Sequence, residues 1–156
     1  MKKPKIEIVT FNEQYVPEFG QLNFEWLEKY FYIEPYDKEV LTNPKKYILT
    51  DGGQILFALI EGKVVGTVAL INRGEGIFEL SKMAVTEDYQ GMRIGQKLMY
   101  ACIDYAGRQG FSRLFLDSNT KLTPAIKLYS KVGFKEIPVP EDSPYERCNI
   151  RMELYL

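Results

Sequence analysis

Three apolar segments separated by tight turns constrain the fold of this 156-residue chain more than any other feature. The segments cover residues 54–60, 63–71 and 77–85, and the dipeptide Glu61-Gly62 separates the first two. Apolar runs of this length between turn residues are typical of strands, and a two-residue turn joins antiparallel neighbours. The sequence therefore predicts a meander of three antiparallel strands.

Helical periodicity surrounds this meander on both sides. The predicted helices cover residues 12–32, 36–41, 94 to 107 or 110, and 124–132. Pro17 leaves the start of the first one uncertain, and Thr123 is the expected cap of the last. Further strands are predicted at residues 5–10, 113–117 and 148–156. The order predicts an α+β fold, with helices packed on a mostly antiparallel sheet.

Composition excludes several classes of partner. The formal net charge of −1 provides no field that would attract nucleic acid or an anionic membrane surface. Residues 1–5 are basic but lack a following apolar segment, and no apolar run is long enough to span a bilayer. We expect a single domain over residues 1–156, in the cytoplasm.

The absence of histidine excludes several mechanisms. A Ser-His or Cys-His nucleophile pair cannot form, and neither can a His-ligated zinc site. No metal is expected. Cys102 and Cys148 are far apart and are expected to be small core residues rather than a disulfide.

The loop between the third strand of the meander and the next helix has the features of an anion site. It contains Gln-Gly-Met-Arg-Ile-Gly at residues 90–95. The first turn of a helix leaves backbone N–H groups unpaired, and Gly91 and Gly95 would let a phosphate approach the backbone closely. The spacing fits neither the dinucleotide fingerprint nor the P-loop.

This loop resembles the pyrophosphate-binding motif of the GNAT superfamily of N-acetyltransferases, [Q/R]-x-x-G-x-[G/A]. Gln90 matches the first motif position and Gly95 the last, whereas Arg93 stands where glycine is usual. A side chain at Arg93 is tolerable if the residue has helical dihedrals. A second match, over residues 116–120 and 124–134, resembles the family's strand-end Asn and its A-x-x-[L/F]-Y-x-x-x-G-F helix.

The resemblance implies a twisted, mostly antiparallel GNAT-like sheet of six to seven strands flanked by about four helices. It also implies transfer of an acetyl group from acetyl-CoA, as cosubstrate, to a primary amine by direct attack in a ternary complex. The residues implied in binding the cofactor are Met83, Ala84, Val85, Gln90, Gly91, Met92, Arg93, Ile94, Gly95, Gln96, Asn119 and Tyr129.

Two residues are implied in the chemistry. Tyr129 would protonate the departing CoA thiolate, and Glu79 would accept the proton of the amine unless a chain of water molecules does so. Alternation along an unbulged strand would place Glu79, Ser81 and Met83 on one side.

Recognition of the acceptor is expected from the first helix and the loop after it, with Trp26, Tyr30 and Glu34 as candidates, and Tyr32 and Asp37 beside them. The acceptor remains open between small-molecule and peptide amines. A non-catalytic acyl-CoA sensor, an enzyme for a longer acyl-CoA and a protein-interaction module are the alternatives. Related enzymes also make a homodimer possible.

Overall fold

Seven strands form one sheet in the computed structural model, which describes residues 4–89, 91–141 and 146–156. The strands are β1 (Ile6–Thr10), β2 (Gln54–Ile60), β3 (Lys63–Asn72), β4 (Ile77–Val85), β5 (Arg113–Ser118), β6 (Lys135–Ile137) and β7 (Ile150–Tyr155). Their order across the sheet is β1-β2-β3-β4-β5-β7-β6. All neighbours are antiparallel except β4 and β5, which are parallel.

Four α-helices accompany the sheet in the described part of the chain. They are α1 (Val16–Tyr30), α2 (Pro35–Thr42), α3 (Ile94–Gln109) and α4 (Thr123–Lys131). Shorter helical turns lie at Glu13–Tyr15, Lys45–Leu49 and Glu87–Tyr89. The α+β fold class and the three-stranded meander expected from the sequence are confirmed.

The sheet separates two hydrophobic clusters, which explains why β2 and β3 are apolar along almost their whole length. Alternate residues of these strands face α3 on one side and α1 with α2 on the other. The cluster on the α3 side includes Leu56, Ala58, Val68, Leu98 and Cys102. The cluster on the α1 side includes Phe19, Leu41, Phe57, Ala69 and Ala84.

A β-bulge interrupts β4 in the middle of its pairing with β3. Thr67 pairs with Ala84 and Ala69 pairs with Ser81, so β4 carries one extra residue between these pairs. Lys82 lies in this bulge with φ of 55°, in the left-handed region. The expected placement of Glu79, Ser81 and Met83 on one side is therefore wrong, because an inserted residue reverses the alternation.

The consequence of the bulge is visible in the core. Phe78 and Leu80 lie before the bulge and belong to the α3-side cluster. Met83 and Val85 lie after it and pack against the same cluster, whereas Ala84 belongs to the α1 side. The bulge thus turns Met83 towards the start of α3.

The parallel strands β4 and β5 separate after a short stretch of pairing. Among the described residues their register covers Ile77 with Arg113, Phe78 with Leu114 and Glu79 with Phe115. This parallel register ends at Glu79 and Phe115 in the described part of the chain. The two strands therefore open into a cleft at their carboxyl ends.

Several boundaries differ from the sequence-based expectations. Leu122 rather than Thr123 is the N-cap of α4, and no side chain caps that helix. β6 was not predicted, because three residues give too short a pattern to recognise. Cys102 is buried in the core, but Cys148 is only half-buried and lines the cleft, so the core assignment of Cys148 is wrong.

No helix in the described ranges is both long and apolar enough to cross a bilayer.

Candidate active site

The cleft between the diverging ends of β4 and β5 is enclosed by α1, by the loop after β5, by α4 and by the segment before β7. Its walls combine apolar side chains with a small number of polar groups. The residues that line it are Asn23, Trp26, Leu27, Phe31, Asp37, Leu80, Ser81, Lys82, Met83, Leu116, Asp117, Ser118, Asn119, Leu122, Tyr129, Arg147 and Cys148. A largely apolar cleft with converging polar groups is the usual form of a small-molecule site.

The start of α3 lies next to this cleft because the helix packs closely on the sheet. A Cβ atom on Gly66 would stand 3.0 Å from Ile94 Cγ2 and 3.2 Å from Leu98 Cδ1, so glycine permits this close approach. A Cβ atom on Gly95 would stand 3.7 Å from Met83 Sδ. The first turn of α3 is thereby held against the strand end that borders the cleft.

Backbone amides are open at this helix start. Arg93 is the N-cap and its side chain makes no capping hydrogen bond. Lys97 N donates to Arg93 O at 3.1 Å, which leaves the N–H groups of Ile94, Gly95 and Gln96 without an intrahelical acceptor. Together with the helix dipole, these open N–H groups favour negative charge at this position.

Arg93 does not have the right-handed helical dihedrals that its side chain would favour. Its φ of 60° and ψ of 29° are left-handed, the conformation that glycine adopts without cost. This geometry explains why a glycine would suit the position. Gly91 is also left-handed, with φ of 88°. Gln90, the first residue of the motif, lies outside the described residues.

Tyr129 projects from α4 into the wall of the cleft. Its ring packs edge-on against Phe134, with centroids 6.4 Å apart. Burial raises the pKa of Tyr129 to about 12, because the phenolate is poorly solvated there. The hydroxyl is therefore protonated at neutral pH, and its role as an acid stays a prediction.

Glu79 does not line the cleft. Its side chain is buried and paired with Arg73, whose Nη2 and Nε donate to Oε1 at 2.6 and 3.0 Å. Burial acts to lower the pKa of Arg73, but the charge of Glu79 and hydrogen bonds to Tyr36 and Glu79 outweigh it and raise the pKa. The role of Glu79 as base stays a prediction.

Sequence reasoning missed a buried ion network on the α2 side of the cleft. Lys82 Nζ donates to Asp37 Oδ1 at 2.9 Å, and both side chains are almost fully buried. Arg147 donates through Nη1 to Oδ2 at 2.7 Å and through Nη2 to Oδ1 at 2.9 Å. Glu34 N donates to Asp37 Oδ2 at 3.0 Å.

The pKa values of this network follow from burial and charge. Burial acts to raise the pKa of Asp37, but the hydrogen bond from Arg147 and the charge of Lys82 outweigh it and hold the pKa below its usual value. Burial lowers the pKa of Lys82, and the charge of Asp37 only partly offsets this effect. No local pattern marks these residues, since Asp37 and Arg147 are 110 positions apart.

The candidate acceptor residues are dispersed. Trp26 lines the cleft, but Tyr30 and Glu34 do not. The carboxylate of Glu34 is buried and accepts from Arg147 Nη1 at 2.6 Å and from Glu146 N at 3.0 Å. Tyr32 is exposed and its hydroxyl donates to Glu146 at 2.6 Å, which raises the pKa of Tyr32 to about 12.

The loop after β5 is tied to the protein on both sides of the cleft. Asn119 Nδ2 donates to Arg147 O at 2.8 Å, and its Oδ1 accepts from Lys121 N at 3.0 Å. Lys121 Nζ donates to Tyr30 O at 2.6 Å and lies 3.9 Å from the ring centroid of Phe31. Asn119 thus lines the cleft while its amide binds backbone, and its cofactor role stays a prediction.

The protein has an α+β fold whose sheet is split by diverging parallel strands beside an open helix start. A model described as "Acetyltransferase (GNAT) family" matches residues 20–134. The chain belongs to this family.

Relatives of known sequence support the same assignment. The chain is 36% identical over 101 residues to the "Probable N-acetyltransferase camello" of Xenopus tropicalis, covering 64% of this chain and 46% of that protein. It is 30% identical over 126 residues to an uncharacterized N-acetyltransferase of Schizosaccharomyces pombe, covering 79% and 71%. The chain thus spans less than half the length of the frog protein.

Solved structures show the same fold over almost the whole chain. An acetyltransferase of the GNAT family from Staphylococcus aureus Mu50 superimposes with a TM-score of 0.87 at 26% identity, covering 97% of this chain and 99% of that one. The PaiA N-acetyltransferase of Thermoplasma acidophilum, solved in complex with coenzyme A, gives a TM-score of 0.74 at 17% identity, covering 97% and 99%. The latter likeness concerns the fold alone.

Proposed function

We propose that the protein transfers an acetyl group from acetyl-CoA to a primary amine by direct attack in the cleft between β4 and β5. The observation that carries the proposal is that the open start of α3 lies beside the end of β4. The open amides of Ile94, Gly95 and Gln96 suit a diphosphate, and the end of β4 beyond its pairing with β5 suits the pantetheine arm. The CoA complex of the Thermoplasma relative has the same fold.

The residues at the strand end fit this path of the cofactor. Met83 lines the cleft next to Gly95, and Ala84 and Val85 continue the strand towards the loop. Backbone N–H groups on a strand edge can hold the arm by hydrogen bonds and polarise the thioester carbonyl as oxyanion donors. The loop residues 90–93 would complete the phosphate site.

The chemistry requires a deprotonated amine and a proton for the leaving thiolate. An aliphatic amine is mostly protonated at neutral pH, so a base must accept a proton before attack. A base at Glu79 would act through Oε2 and water, because Arg73 occupies Oε1. The amine nitrogen then attacks the thioester carbon, the C–S bond breaks, and Tyr129 donates its hydroxyl proton to the sulfur. The nitrogen releases its second proton to solvent as the amide forms, and a proton from solvent restores the Tyr129 hydroxyl.

Calorimetry with CoA and acetyl-CoA tests the binding step. Gly95→Asp should weaken CoA binding at least about tenfold, because a carboxylate would meet the phosphates at the open amides. Gly107→Asp is the control, since this glycine lies near the other end of α3 with open space around its Cβ position. Absence of CoA binding by the unaltered protein would refute the proposal.

Thiol release from acetyl-CoA with an amine panel tests the chemical step. Tyr129→Phe should lower kcat by about 10²-fold or more while the Kd of CoA stays the same, since only proton donation is lost. Glu79→Gln should lower kcat most at neutral pH, where the base matters. Unchanged turnover would remove the altered residue from the mechanism.

A further inference from the structure

The acceptor end of the cleft contains an unassigned polar atom, the side-chain oxygen of Asn23 on α1. Asn23 is 3% exposed and lines the cleft. Its Nδ2 donates to Phe19 O at 2.9 Å, one helical turn earlier. The opposite orientation would set Oδ1 against a carbonyl oxygen, so this hydrogen bond determines which way the amide points.

Two observations indicate that the oxygen of this amide is open to the cleft. Among the described side chains, Glu18 Oε2 is the one polar atom that is both sealed from solvent and without a hydrogen-bond partner. Asn23 Oδ1 accepts no hydrogen bond from the described residues, and it is not sealed, so it reaches the cleft. A buried acceptor oxygen in this position suits an N–H donor of a ligand.

The charges around Asn23 limit which amine would bind there. Two carboxylates line the cleft in the described part of the chain, and both already have cationic partners. Asp37 binds Lys82 and Arg147, and Asp117 accepts from Arg151 Nε at 2.6 Å and from Nη2 at 2.8 Å. An acceptor with several ammonium groups would have to displace a buried internal cation, which is costly.

Large apolar side chains form another part of the same cleft wall. Trp26, Leu27, Phe31 and Leu122 line the same cleft. Such walls favour the burial of an aliphatic or aromatic body, which gains free energy with the apolar area removed from water.

We infer that the acceptor is a monoamine with an apolar or aromatic body, and that Asn23 Oδ1 accepts a hydrogen bond from its reacting nitrogen. This inference rests on the proposed acetyl transfer and specifies its second substrate. The hydrogen bond orients the nitrogen towards the thioester, while the apolar body lies against α1. A polyamine would find no free carboxylate for its second ammonium group, because both carboxylates that line the cleft in the described part of the chain are already paired.

Two substitutions at Asn23 separate substrate contact from structural support. Asn23→Leu and Asn23→Asp both remove the N–H donor to Phe19 O, so both should lower Tm. Only Asn23→Asp keeps an acceptor oxygen that can face the cleft. Asn43→Leu is the control, because Asn43 Nδ2 donates to Glu39 O at 3.2 Å with the same spacing but away from the cleft.

Thiol release with phenethylamine, tryptamine, isoamylamine, putrescine and spermidine measures kcat/KM for each variant, and calorimetry measures CoA binding. We expect a monoamine of this panel to exceed the polyamines by about tenfold or more, the effect of an uncompensated buried charge. Asn23→Leu should lower kcat/KM for that monoamine by about 10- to 100-fold with unchanged CoA affinity. Asn23→Asp and Asn43→Leu should retain most of the kcat/KM for that monoamine.

Each other result has a distinct meaning. Binding of CoA together with a preference for spermidine, or with no acetylation of any monoamine, would overturn this inference and leave cofactor binding intact. An equal loss of kcat/KM in both Asn23 variants would also overturn it, because the effect would then come from the Phe19 hydrogen bond. Failure to bind CoA at all would overturn the proposed function and this inference with it.

Discussion

Replacing Asp37 by asparagine should destabilise the protein severely, although the two side chains have nearly the same shape. Each oxygen of Asp37 accepts two hydrogen bonds: Oδ1 from Lys82 and Arg147, and Oδ2 from Arg147 and Glu34 N. Whichever way the asparagine amide turns, its NH₂ group meets two donors. The substitution also leaves the ammonium of Lys82 buried without its carboxylate partner.

The magnitude follows from this geometry. The side chain of Asp37 is 0% exposed and that of Lys82 3% exposed, so the pair is fully desolvated. Removing one partner of a buried ion pair costs about 3–5 kcal/mol. For a chain of this size each kcal/mol lowers Tm by about 2–4 °C, which gives a fall of about 6–20 °C.

Urea and thermal unfolding, followed by circular dichroism, measure the effect in a double-mutant cycle with Lys82→Met. Asp37→Asn should cost less in the Lys82→Met background, with a coupling of about 0.5–3 kcal/mol, because no buried ammonium is orphaned there. Lys45→Met is the control: its ion pair with Glu13 has a similar length of 2.8 Å, but the side chains are 69% and 70% exposed, and Tm should hardly change. Additive effects of Asp37→Asn and Lys82→Met would refute the reasoning.

The lowered pKa of Asp37 predicts how the stability of the protein depends on pH. The pKa of Asp37 is lower in the folded protein than in the unfolded chain, so the unfolded state takes up the proton first as the pH falls. The contribution of Asp37 is fully present above its unfolded pKa of about 4 and is lost as the pH falls through the folded pKa. Asp37→Asn should lack this part of the acid dependence. An identical acid profile in the variant would contradict it.

Two further predictions concern backbone positions. Arg93→Gly should raise the free energy of unfolding by about 1 kcal/mol, because the left-handed conformation of Arg93 is strained for a side chain, and an unchanged or lower Tm would contradict this. Gly53→Ala should cost about 1–3 kcal/mol, since its Cβ would stand 2.4 Å from Leu70 O and 2.6 Å from Ile48 O. Gly107→Ala, which meets nothing within 4 Å, should instead stabilise α3 by up to about 1 kcal/mol, and equal effects of the two alanine variants would refute the packing argument.

The elements with a regular hydrophobic periodicity could be predicted from the sequence. The meander, α1, α3 and the loop before α3 could all be predicted, because apolar alternation, helical spacing and glycine placement are local signals. The bulge at Lys82 could not be predicted, since a lysine gives no sign that it adopts a positive φ. Because of this one residue, Met83 lies on the opposite side of β4 from the side that alternation predicts.

The ion network on the polar side of the cleft could not be predicted from local sequence patterns either. The sequence predicts Glu34 and Asp37 as acceptor residues, because it shows carboxylates but not their partners. Arg147 reaches both from a segment more than a hundred residues away, and such contacts are set by the tertiary fold. Asn23 gave no signal either, because its importance lies in which way its amide points.

The strained backbone positions connect the fold to the site. Among the described residues, four other than glycine have positive φ: Glu61, Glu75, Lys82 and Arg93. The first two lie in the turns of the meander, where left-handed residues are ordinary. The other two, Lys82 and Arg93, do not lie in tight turns. They lie at the bulge of β4 and at the start of α3, on either side of the strand end proposed to hold the thioester.

Backbone strain of this kind persists only where surrounding contacts fix it, as the ion pair with Asp37 does for Lys82. At Arg93 no capping hydrogen bond of its own side chain offsets the strain, so a phosphate bound to the amides that follow would supply the contact that makes this conformation favourable.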